Sequence, residues 1–331
     1  MGKNKEVEKR GEGMNLEQQL EGVASVAIAG HVRPDGDCVG STLAVYNYIR
    51  TYAPDIRVDL MLEPIPNIFK FLKNADQIDS EYKSREVYDL FISLDCGDEG
   101  RLGRAVSYFN EAKRTFCIDH HMSNQNFADV NYIVPDASST CELVFDLLDE
   151  SKITPEIAEC LYVGMVHDTG VFQYSCTSSK TMNIAGKLMD KGISFSKIVD
   201  QTYYQKTYEQ NRILGKALVD SRLYLEGRCI VSVVTVADME EYQVQPKHLD
   251  GIVQQLRNTK GVEVAIFIYE NEDGSYKVSM RSSEYVDVAT LLMQYGGGGH
   301  KRAAGATMQD TPEQLISMLV ADVEKQLDSR I

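Results

Sequence analysis

Two groups of residues with metal-binding side chains lie far apart in the sequence. The first group contains His31, Asp35 and Asp37, and the second is the run Asp119-His120-His121. Carboxylates and imidazoles without thiolates suit divalent cations such as Mn²⁺. The run Pro34-Asp-Gly-Asp37 is also a good turn sequence. Taken alone, this segment is therefore as compatible with a turn as with a metal site.

Two further segments end in residues of the same kind. The apolar run 89–94 leads to Asp95, and a helical stretch that begins with Thr154 and Pro155 leads to Asp168. Open α/β sheets bind their ligands at the carboxyl ends of strands, where three of the four endings would lie. A helix cap or a turn would explain one segment that ends in metal-binding residues. Four such segments in one chain indicate a metal site.

These residues resemble the motifs of a known family. Motifs I to IV of the DHH phosphoesterase superfamily are similar, in order and spacing, to the following runs: His31-x-x-x-Asp35-x-Asp37, Asp95, Asp119-His120-His121 and Asp168-Thr-Gly. The run Gly297-Gly-Gly-His300-Lys-Arg-Ala303-Ala-Gly305 resembles the signature of the DHH-associated domain. The resemblance extends from about Leu16 to the C-terminus and is greatest to the bacterial nano-RNase and 3′-phosphoadenosine 5′-phosphate phosphatase group. Cys38 and His167 depart from the usual pattern.

The resemblance implies a pair of divalent cations that share one carboxylate. It assigns one cation to His31, Asp35 and Asp95, and the other to Asp37, Asp95, His120 and Asp168. The shared ligand Asp95 and the phosphate-facing His121 are the implied catalytic residues. The alternative for His121 is a supporting role behind the metal ligands, and Asp119 is interpreted as such a support. A set of carboxylates and imidazoles favours two Mn²⁺ ions, with Mg²⁺ as the second choice.

The resemblance also implies a substrate-binding set near the C-terminus. Arg281 would bind a substrate phosphate, for which a guanidinium fork is well suited. Gly298, Gly299 and His300 belong to a glycine-rich run, interpreted as a permissive loop whose N–H groups can approach a phosphate. The active site is then expected in a cleft between two domains. Tyr203, Tyr204 and Tyr208 could stack on a base, although tyrosines at helical spacing are more often packing residues.

The order of the predicted elements indicates two domains. Residues 14–192 alternate strands (23–30, 56–62, 89–94, 114–118 and 131–134) with helices (41–52, 140–150, 155–167 and 179–191). This alternation predicts an α/β domain with a Rossmann-like parallel sheet and helices on both faces. Residues 193–222 are predicted to be a helical linker, and residues 1–13 a disordered leader.

The C-terminal residues 223–331 are predicted to form a smaller α+β domain with a mixed sheet. Its predicted strands are 229–236, 262–269 and 276–280, with a hairpin turn at 272–275. Helices near 246–257, 287–294 and 311–328 are expected to cover one side of that sheet.

Composition limits the classes of function. The 331 residues suit two domains, and the net charge of −15 argues against a protein that binds long duplex nucleic acid. The sequence contains no apolar run of the ~18 residues that span a membrane. Seven cysteines without a C-x-x-C pair are typical of a reducing cytoplasm.

We expect from the resemblance a cytoplasmic, Mn²⁺-dependent phosphoesterase. Its expected substrates are short single-stranded RNA and 3′-phosphoadenosine 5′-phosphate, and a homodimer would be compatible with the family. A cyclic-dinucleotide or linear-dinucleotide phosphodiesterase is the enzymatic alternative; a manganese pyrophosphatase or a RecJ-like exonuclease fits the sequence less well. The alternative without enzymatic activity is a nucleotide-binding regulatory module. Such a module would lack a metal ligand, and the motifs lack none.

Overall fold

The computed structural model describes residues 14–84 and 86–328. Contacts divide the chain into two compact units, Met1–Gln205 and Lys206–Ile331. The boundary between the units falls inside the segment predicted to be a linker. The predicted leader, residues 1–13, lies outside the described residues. Among the described helices, none is both long enough and apolar enough to cross a membrane.

The first unit alternates strands and helices as the sequence predicts. Its strands are β1 (Ser25–Ala29), β2 (Arg57–Met61), β3 (Leu90–Leu94), β4 (Thr115–Asp119) and β5 (Val130–Ile133). Its helices are α1 (Leu16–Leu20), α2 (Gly36–Tyr52), α3 (Val106–Glu111), α4 (Thr140–Leu147), α5 (Pro155–Asp168), α6 (Ser179–Asp190) and α7 (Phe195–Val199). A π-helical turn, Asp200–Tyr204, follows α7.

The five strands form one parallel sheet in the order β2-β1-β3-β4-β5. Because the chain leaves β1 toward β2 and then returns to pair β3 on the other side of β1, the strand order reverses at the carboxyl ends of β1 and β3. Crevices at such reversals are the usual ligand sites of open α/β sheets.

Apolar side chains cover both faces of this sheet. Ile28 and Ile92 pack in the larger core with residues of α2, α4 and α5. Phe91 belongs to a smaller core on the other face, where its ring contacts that of Phe109 in α3 at 5.4 Å. The predicted α/β fold with helices on both faces is confirmed. Among the described residues, the helical cover of the second face is the short helix α3 and a 3₁₀ segment, Glu99–Ala105.

Helix α2 begins at Gly36, so the predicted start at residue 41 is wrong. The reason is that the Asp35 carboxylate accepts the N–H groups of Asp37 and Cys38 at 3.1 and 3.2 Å and caps the helix. The sequence Pro-Asp-Gly-Asp fits a turn as well as a capped helix. Asp37 consequently lies in the first turn of α2 and not in a loop.

Two glycines allow α2 and α5 to approach each other closely. A Cβ atom at Gly40 in α2 would lie 2.4 Å from the carbonyl oxygen of Cys160 in α5, and one at Gly164 in α5 would lie 3.1 Å from Cα of Asp37 in α2. Helix α2 is buried at every residue from Gly36 to Ile49. A side chain at either glycine would therefore push apart two helices that cannot move into solvent.

The second unit is built on a mixed sheet. It contains α8 (Tyr208–Val219), β6 (Arg222–Tyr224), β7 (Cys229–Val234), α9 (Val236–Glu241), α10 (Ile252–Arg257), β8 (Val264–Glu270), β9 (Tyr276–Ser282), α11 (Val288–Met293), β10 (Gly298–His300), β11 (Ala303–Met308) and α12 (Pro312–Asp328). The strand order is β10-β11-β9-β8-β7-β6, in which β7 and β8 are parallel and the other pairs antiparallel.

Two sequence predictions for this unit need correction. Helices pack on both sides of the sheet and not on one, because β8 sends Ile266 into a core with α11 and α12 and Phe267 into a core with α8 and α10. The glycine-rich run was predicted to be a loop, but Gly298 and Gly299 belong to β10. Strands made of glycine and alanine carry little of the apolar alternation by which strands are recognised.

We expect Gly40→Ala to destabilise the first unit by about 1–3 kcal/mol, the usual range for an overpacked core. The new methyl group would meet backbone and not a flexible side chain. The matched control is Gly186→Ala in α6, where no atom lies within 4 Å of the added Cβ. The control is expected to be neutral or to stabilise by up to ~1 kcal/mol. Urea unfolding of both variants checks this; equal midpoints would show that the helices can separate freely.

Candidate metal centre

The predicted ligands lie where elements of the first unit end or begin at one edge of its sheet. His31 follows β1, Asp95 follows β3, and His120 follows β4. Asp35 and Asp37 stand at the start of α2, and Asp168 is the last residue of α5. Because parallel strands end at the same edge, side chains from distant parts of the sequence meet there.

The six side chains form two neighbouring groups. His31 Nε2 lies 3.6 Å from Asp35 Oδ2 and 3.4 Å from Asp95 Oδ2. His120 Nε2 lies 3.2 Å from Asp168 Oδ2, 3.7 Å from Asp95 Oδ1 and 4.0 Å from Asp37 Oδ2. Asp95 therefore presents one carboxylate oxygen to each imidazole. It stands between the two groups, as a shared ligand would.

Ligand atoms within each group are close enough to hold one ion. They lie within 4.8 Å of one another in three sets: His31, Asp35 and Asp95; Asp37, His120 and Asp168; and Asp95, His120 and His121. The first two sets contain the six residues predicted as metal ligands. The third set adds His121 on the side of Asp95 that faces His120.

Both imidazoles at the centre are oriented by backbone carbonyls. His31 Nδ1 lies 2.9 Å from the carbonyl oxygen of Val32, and His120 Nδ1 lies 3.3 Å from that of Ala137. A proton on Nδ1 leaves the lone pair of Nε2 directed at the carboxylates. Metal-binding histidines are usually held in this way.

The electrostatics of the centre call for positive charge. Asp37 and Asp95 are almost completely buried. Burial, together with the nearby carboxylates of Asp95 and Asp168, raises the pKa of Asp37 well above its usual value. Burial and the carboxylate of Asp95 likewise raise the pKa of Asp168 to about 7. Four crowded carboxylates with two imidazoles therefore fit a pair of divalent cations, whose four positive charges would balance them.

The two histidines respond to the same crowding. Burial lowers the pKa of His31, but hydrogen bonds to Asp35 and Asp95 outweigh it and raise the pKa to about 10. Burial also opposes protonation of His120, and the charges of Asp37 and Asp168 still raise its pKa to about 9. The nearby carboxylates therefore favour the protonated form of each imidazole. A bound cation would take the place of that proton.

Asp37 is fixed by the N-terminus of α4. Its carboxylate accepts the N–H groups of Thr140 at 2.6 Å and of Cys141 at 2.9 Å. The free N–H groups and the dipole of a helix N-terminus favour an anion there. The Thr140 hydroxyl also donates to Asp95 Oδ1 at 3.1 Å, so one residue supports two ligands.

The sequence did not identify Thr140 as a site residue. The signal available was the run Ser139-x-x-Glu142, which resembles a capping box and correctly predicts the start of α4. Ser139 does accept the N–H of Glu142, but the carboxylate of Glu142 binds Ser138 and Thr181 instead of completing the box. Nothing in the local sequence connects this helix start to a carboxylate 103 residues earlier.

Asp95 adopts a left-handed backbone conformation, with φ of +56°. Aspartate tolerates this region better than most residues, yet it remains uncommon for any side chain other than glycine. Its N–H donates to the carbonyl oxygen of Ile118 at 3.0 Å, which ties the turn to the end of β4. Strained conformations of this kind cluster at functional sites.

Asp119 supports His121. His121 Nδ1 lies 2.7 Å from Asp119 Oδ1, and the other oxygen of Asp119 accepts from the amide of Asn124 at 2.8 Å. This hydrogen bond raises the pKa of His121. Asp119 is completely buried, so the group that orients His121 is itself fixed in the core.

The remaining histidine of the motifs lies apart from the metal groups. His167 Nε2 bonds the hydroxyl of Thr202 at 2.9 Å, and its ring contacts Phe69 and Tyr203 edge-on. A Cβ atom at Gly36 would lie 2.5 Å from the side chain of His167. His167 therefore packs against the start of α2 and is not one of the grouped ligands.

The predicted substrate-binding residues of the second unit occupy neighbouring strands. Arg281 on β9 pairs with Ala303 on β11, which pairs in turn with His300 on β10. Gly299 has a φ of +145°, and a Cβ atom there would lie 2.4 Å from the carbonyl oxygen of Ala303. Gly299 is thus required by the close approach of two strands.

Comparison with known proteins agrees with the motifs. Residues 25–165 match the DHH family, N-terminal domain, and residues 226–328 match the DHHA1 domain. Together the matches cover about three quarters of the chain, and they confirm the resemblance seen in the sequence.

Two relatives carry the name bifunctional oligoribonuclease and PAP phosphatase NrnA. The protein from Thermus thermophilus is 27% identical over 287 residues, which cover 86% of this chain and 84% of the relative. The protein from Bacillus subtilis is 28% identical over 301 residues, which cover 89% of this chain and 92% of the relative.

Solved structures share the fold. An exopolyphosphatase-related protein from Bacteroides fragilis superposes with a TM-score of 0.87 and 26% identity, covering 93% of this chain and 94% of that one. RecJ from Thermus thermophilus, solved with Mn²⁺, superposes with a TM-score of 0.51 and 15% identity. The aligned region includes 95% of this chain and 53% of the RecJ chain. This similarity supports the fold alone.

We expect Thr140→Val to lower the affinity for divalent metal by about 10- to 100-fold, the usual effect of losing a group that orients a ligand. The variant removes the hydroxyl that donates to Asp95 and keeps the N–H that binds Asp37. The matched control is Thr42→Val, at an equally buried threonine whose hydroxyl donates to the backbone carbonyls of Cys38 and Val39 in its own helix. Calorimetric titration with Mn²⁺ measures both, and equal affinities would contradict a supporting role for Thr140.

Proposed function

We propose that this chain, which belongs to the DHH family, hydrolyses short oligoribonucleotides and 3′-phosphoadenosine 5′-phosphate. The premise is that it carries a DHH domain followed by a DHHA1 domain. The activity is that of a metal-dependent phosphoesterase. The observation that carries this proposal is the convergence of four carboxylates and two imidazoles at one edge of the sheet, with Asp95 between the two groups.

Hydrolysis of a phosphate ester needs an activated water and neutralisation of charge on the attacking and leaving oxygens. A bound pair of divalent cations would supply both. We propose that His31, Asp35 and Asp95 hold one ion and that Asp37, Asp95, His120 and Asp168 hold the other. The mixed oxygen and nitrogen donors, without thiolate, favour Mn²⁺ over Mg²⁺, since imidazole is not a preferred ligand of Mg²⁺.

His121 is the proposed group that contacts the phosphoryl oxygens or protonates the leaving oxygen. Its Nδ1 is tied to Asp119, so the ring cannot rotate freely, and its Nε2 can donate to an oxygen of the substrate. Asp119 fixes the imidazole of His121, and Asn124 in turn donates to the other oxygen of Asp119. Such a fixed orientation is expected for an imidazole that acts on a substrate at a defined position.

The proposed substrates rest on the named relatives and on the second unit. Both relatives act, by their names, on oligoribonucleotides and on PAP. In the second unit, Arg281 is proposed to bind a substrate phosphate through its guanidinium fork, with His300, Gly298 and Gly299 beside it. The net charge of −15 fits a small substrate better than a long nucleic acid.

An inorganic polyphosphate is the second candidate substrate. It is favoured by the high TM-score of the exopolyphosphatase-related structure. A cyclic or linear dinucleotide would also fit the same metal centre. A panel of substrates distinguishes these alternatives. Polyphosphate contains phosphoanhydrides, 3′-phosphoadenosine 5′-phosphate contains phosphomonoesters, and the nucleotide oligomers contain phosphodiesters, which have no free end in a cyclic dinucleotide.

With Mn²⁺, we expect turnover of a pentanucleotide, a linear dinucleotide and 3′-phosphoadenosine 5′-phosphate, and little or none of pyrophosphate, polyphosphate or a cyclic dinucleotide. Addition of a chelator should abolish all activity, and Mn²⁺ should restore it. Phosphate release and product chromatography measure the result. Activity on pyrophosphate or polyphosphate alone would overturn the proposed substrates while leaving the metal centre in place.

Asp95→Ala should lower turnover of every substrate by at least about 10²–10³-fold, since both ions lose their common ligand. The control is Asp55→Ala, which removes an exposed carboxylate from the loop between α2 and β2 and should leave turnover unchanged. Metal content per chain is measured in parallel. A variant at Asp95 that still binds two ions and turns over substrate would contradict the shared ligand.

Arg281→Ala should raise KM by about 10- to 100-fold, the scale of one hydrogen-bonded charge pair, and should leave metal content unchanged. The control is Arg222→Ala on β6, at the opposite edge of the same sheet, which should change neither quantity. Loss of metal in the Arg281 variant would show that this residue supports the metal centre instead of the substrate.

A further inference from the structure

A strained turn follows the last metal-ligand residue, Asp168. Gly170, Val171 and Phe172 have φ angles of +57°, +57° and +63°, and for the β-branched Val171 this conformation is a genuine outlier. Thr169 holds the turn, because its carbonyl oxygen accepts the N–H groups of Gln173 and Tyr174, both at 2.9 Å. Its hydroxyl also accepts the N–H of Phe172. Three consecutive left-handed residues persist only where their surroundings enforce them.

The turn places an aromatic ring against the segment that follows Asp168. A Cβ atom at Gly170 would lie 2.4 Å from Cζ of Tyr174, so the ring of Tyr174 lies directly against the glycine backbone. Gly170 is only two residues from Asp168, whose carboxylate faces His120. Tyr174 nevertheless keeps 43% of its surface exposed. The strained turn thus holds a partly exposed ring two residues along the chain from a proposed ligand.

A second unusual backbone segment brings two more tyrosines to the same place. The π-helical turn Asp200–Tyr204 carries Tyr203 and Tyr204, and such turns are rare and frequent at functional sites. The Thr202 hydroxyl fixes this turn to His167 Nε2 at 2.9 Å. His167 directly precedes Asp168, so the π turn and the metal centre are anchored to adjacent residues.

The three tyrosines form a connected group. Burial and the neighbouring Tyr174 raise the pKa of Tyr203. The centroid of the Tyr203 ring lies 5.7 Å from that of His167 and 5.3 Å from that of Tyr204, at steep angles. Tyr203 is partly buried, whereas Tyr204 is 53% exposed. Tyr203 therefore acts as a rigid support, and Tyr174 and Tyr204 present exposed aromatic surface.

We infer that Tyr174 and Tyr204 form a stacking surface for a nucleobase of the substrate, supported by Tyr203. This inference rests on the proposed function and deepens it. A nucleotide whose phosphate lies at the metal centre carries its base only a few bonds away, and every base has a π-face that stacks on aromatic side chains. Inorganic polyphosphate has no group that would gain from such a surface. The surface therefore selects nucleotides over inorganic phosphates and tolerates any base.

The test compares substrates with and without a base. Wild-type protein should hydrolyse a linear dinucleotide with a KM roughly 5- to 100-fold lower than that of the same dinucleotide lacking both bases. The double variant Tyr174→Leu and Tyr204→Leu should lose this preference and hydrolyse the abasic dinucleotide as well as wild type does. The double variant Tyr174→Phe and Tyr204→Phe keeps both rings and should retain the preference.

A control variant and a binding measurement complete the test. Tyr52→Leu removes a comparably exposed tyrosine (40%) at the far end of α2, ~25 Å from the metal-facing start of that helix, and should change nothing. Calorimetry with adenosine 5′-monophosphate and ribose 5-phosphate measures the contribution of the base without any hydrolysis. Far-UV circular dichroism checks that each variant is folded.

Each outcome separates the stacking surface from the proposed function. If the leucine variant keeps its preference for the base, or loses activity on both dinucleotides equally, the stacking surface is overturned. If wild-type protein hydrolyses neither dinucleotide but binds adenosine 5′-monophosphate more tightly than ribose 5-phosphate, and leucine removes that difference, the surface stands and the proposed function fails.

Discussion

The structure of the first unit depends on crowding of negative charge at one edge of a parallel sheet. Four carboxylates meet within a few ångströms, and two of them, Asp37 and Asp95, are almost completely withdrawn from water. Charges of one sign in such a place are costly unless something opposes them. The opposing groups are visible in the chain: the amides at the start of α4 bind Asp37, and the hydroxyl of Thr140 binds Asp95. The imidazole of His31 faces Asp95, and that of His120 faces both carboxylates.

The same contacts join the metal centre to the hydrophobic core. Asp37 stands in the first turn of α2, binds the start of α4, and lies against Gly164 of α5, where an added Cβ would be 2.7 Å from its Oδ1. These three helices provide much of the larger core of the unit. Apolar packing therefore sets the positions of the carboxylates, and the centre cannot be moved without repacking the helices around it.

The sequence predicted the architecture well because parallel strands buried on both faces read as continuous apolar runs. The five strands of the first unit appear within one or two residues of their predicted places, and the family motifs named the six residues that the fold brings together. What the sequence could not show depends on pairs distant along the chain. Thr140 and Asp37 are separated by 103 residues, and neither local pattern mentions the other. The helix start at Gly36 and the hairpin of β10 and β11 were missed for a different reason, since short polar or glycine-rich runs fit several local conformations equally well.

The double use of Asp35 has a consequence for the choice of ion. One oxygen of its carboxylate caps α2 through two amides, while the other faces His31. An ion held by that second oxygen is attached, through the cap, to a helix that is buried along most of its length. The position of this oxygen is therefore fixed before an ion binds, and the coordination of the ion must adapt to it. A cation that demands regular geometry would lose less by binding a fixed oxygen of this kind than Ca²⁺, which takes six to eight oxygens in a flexible arrangement.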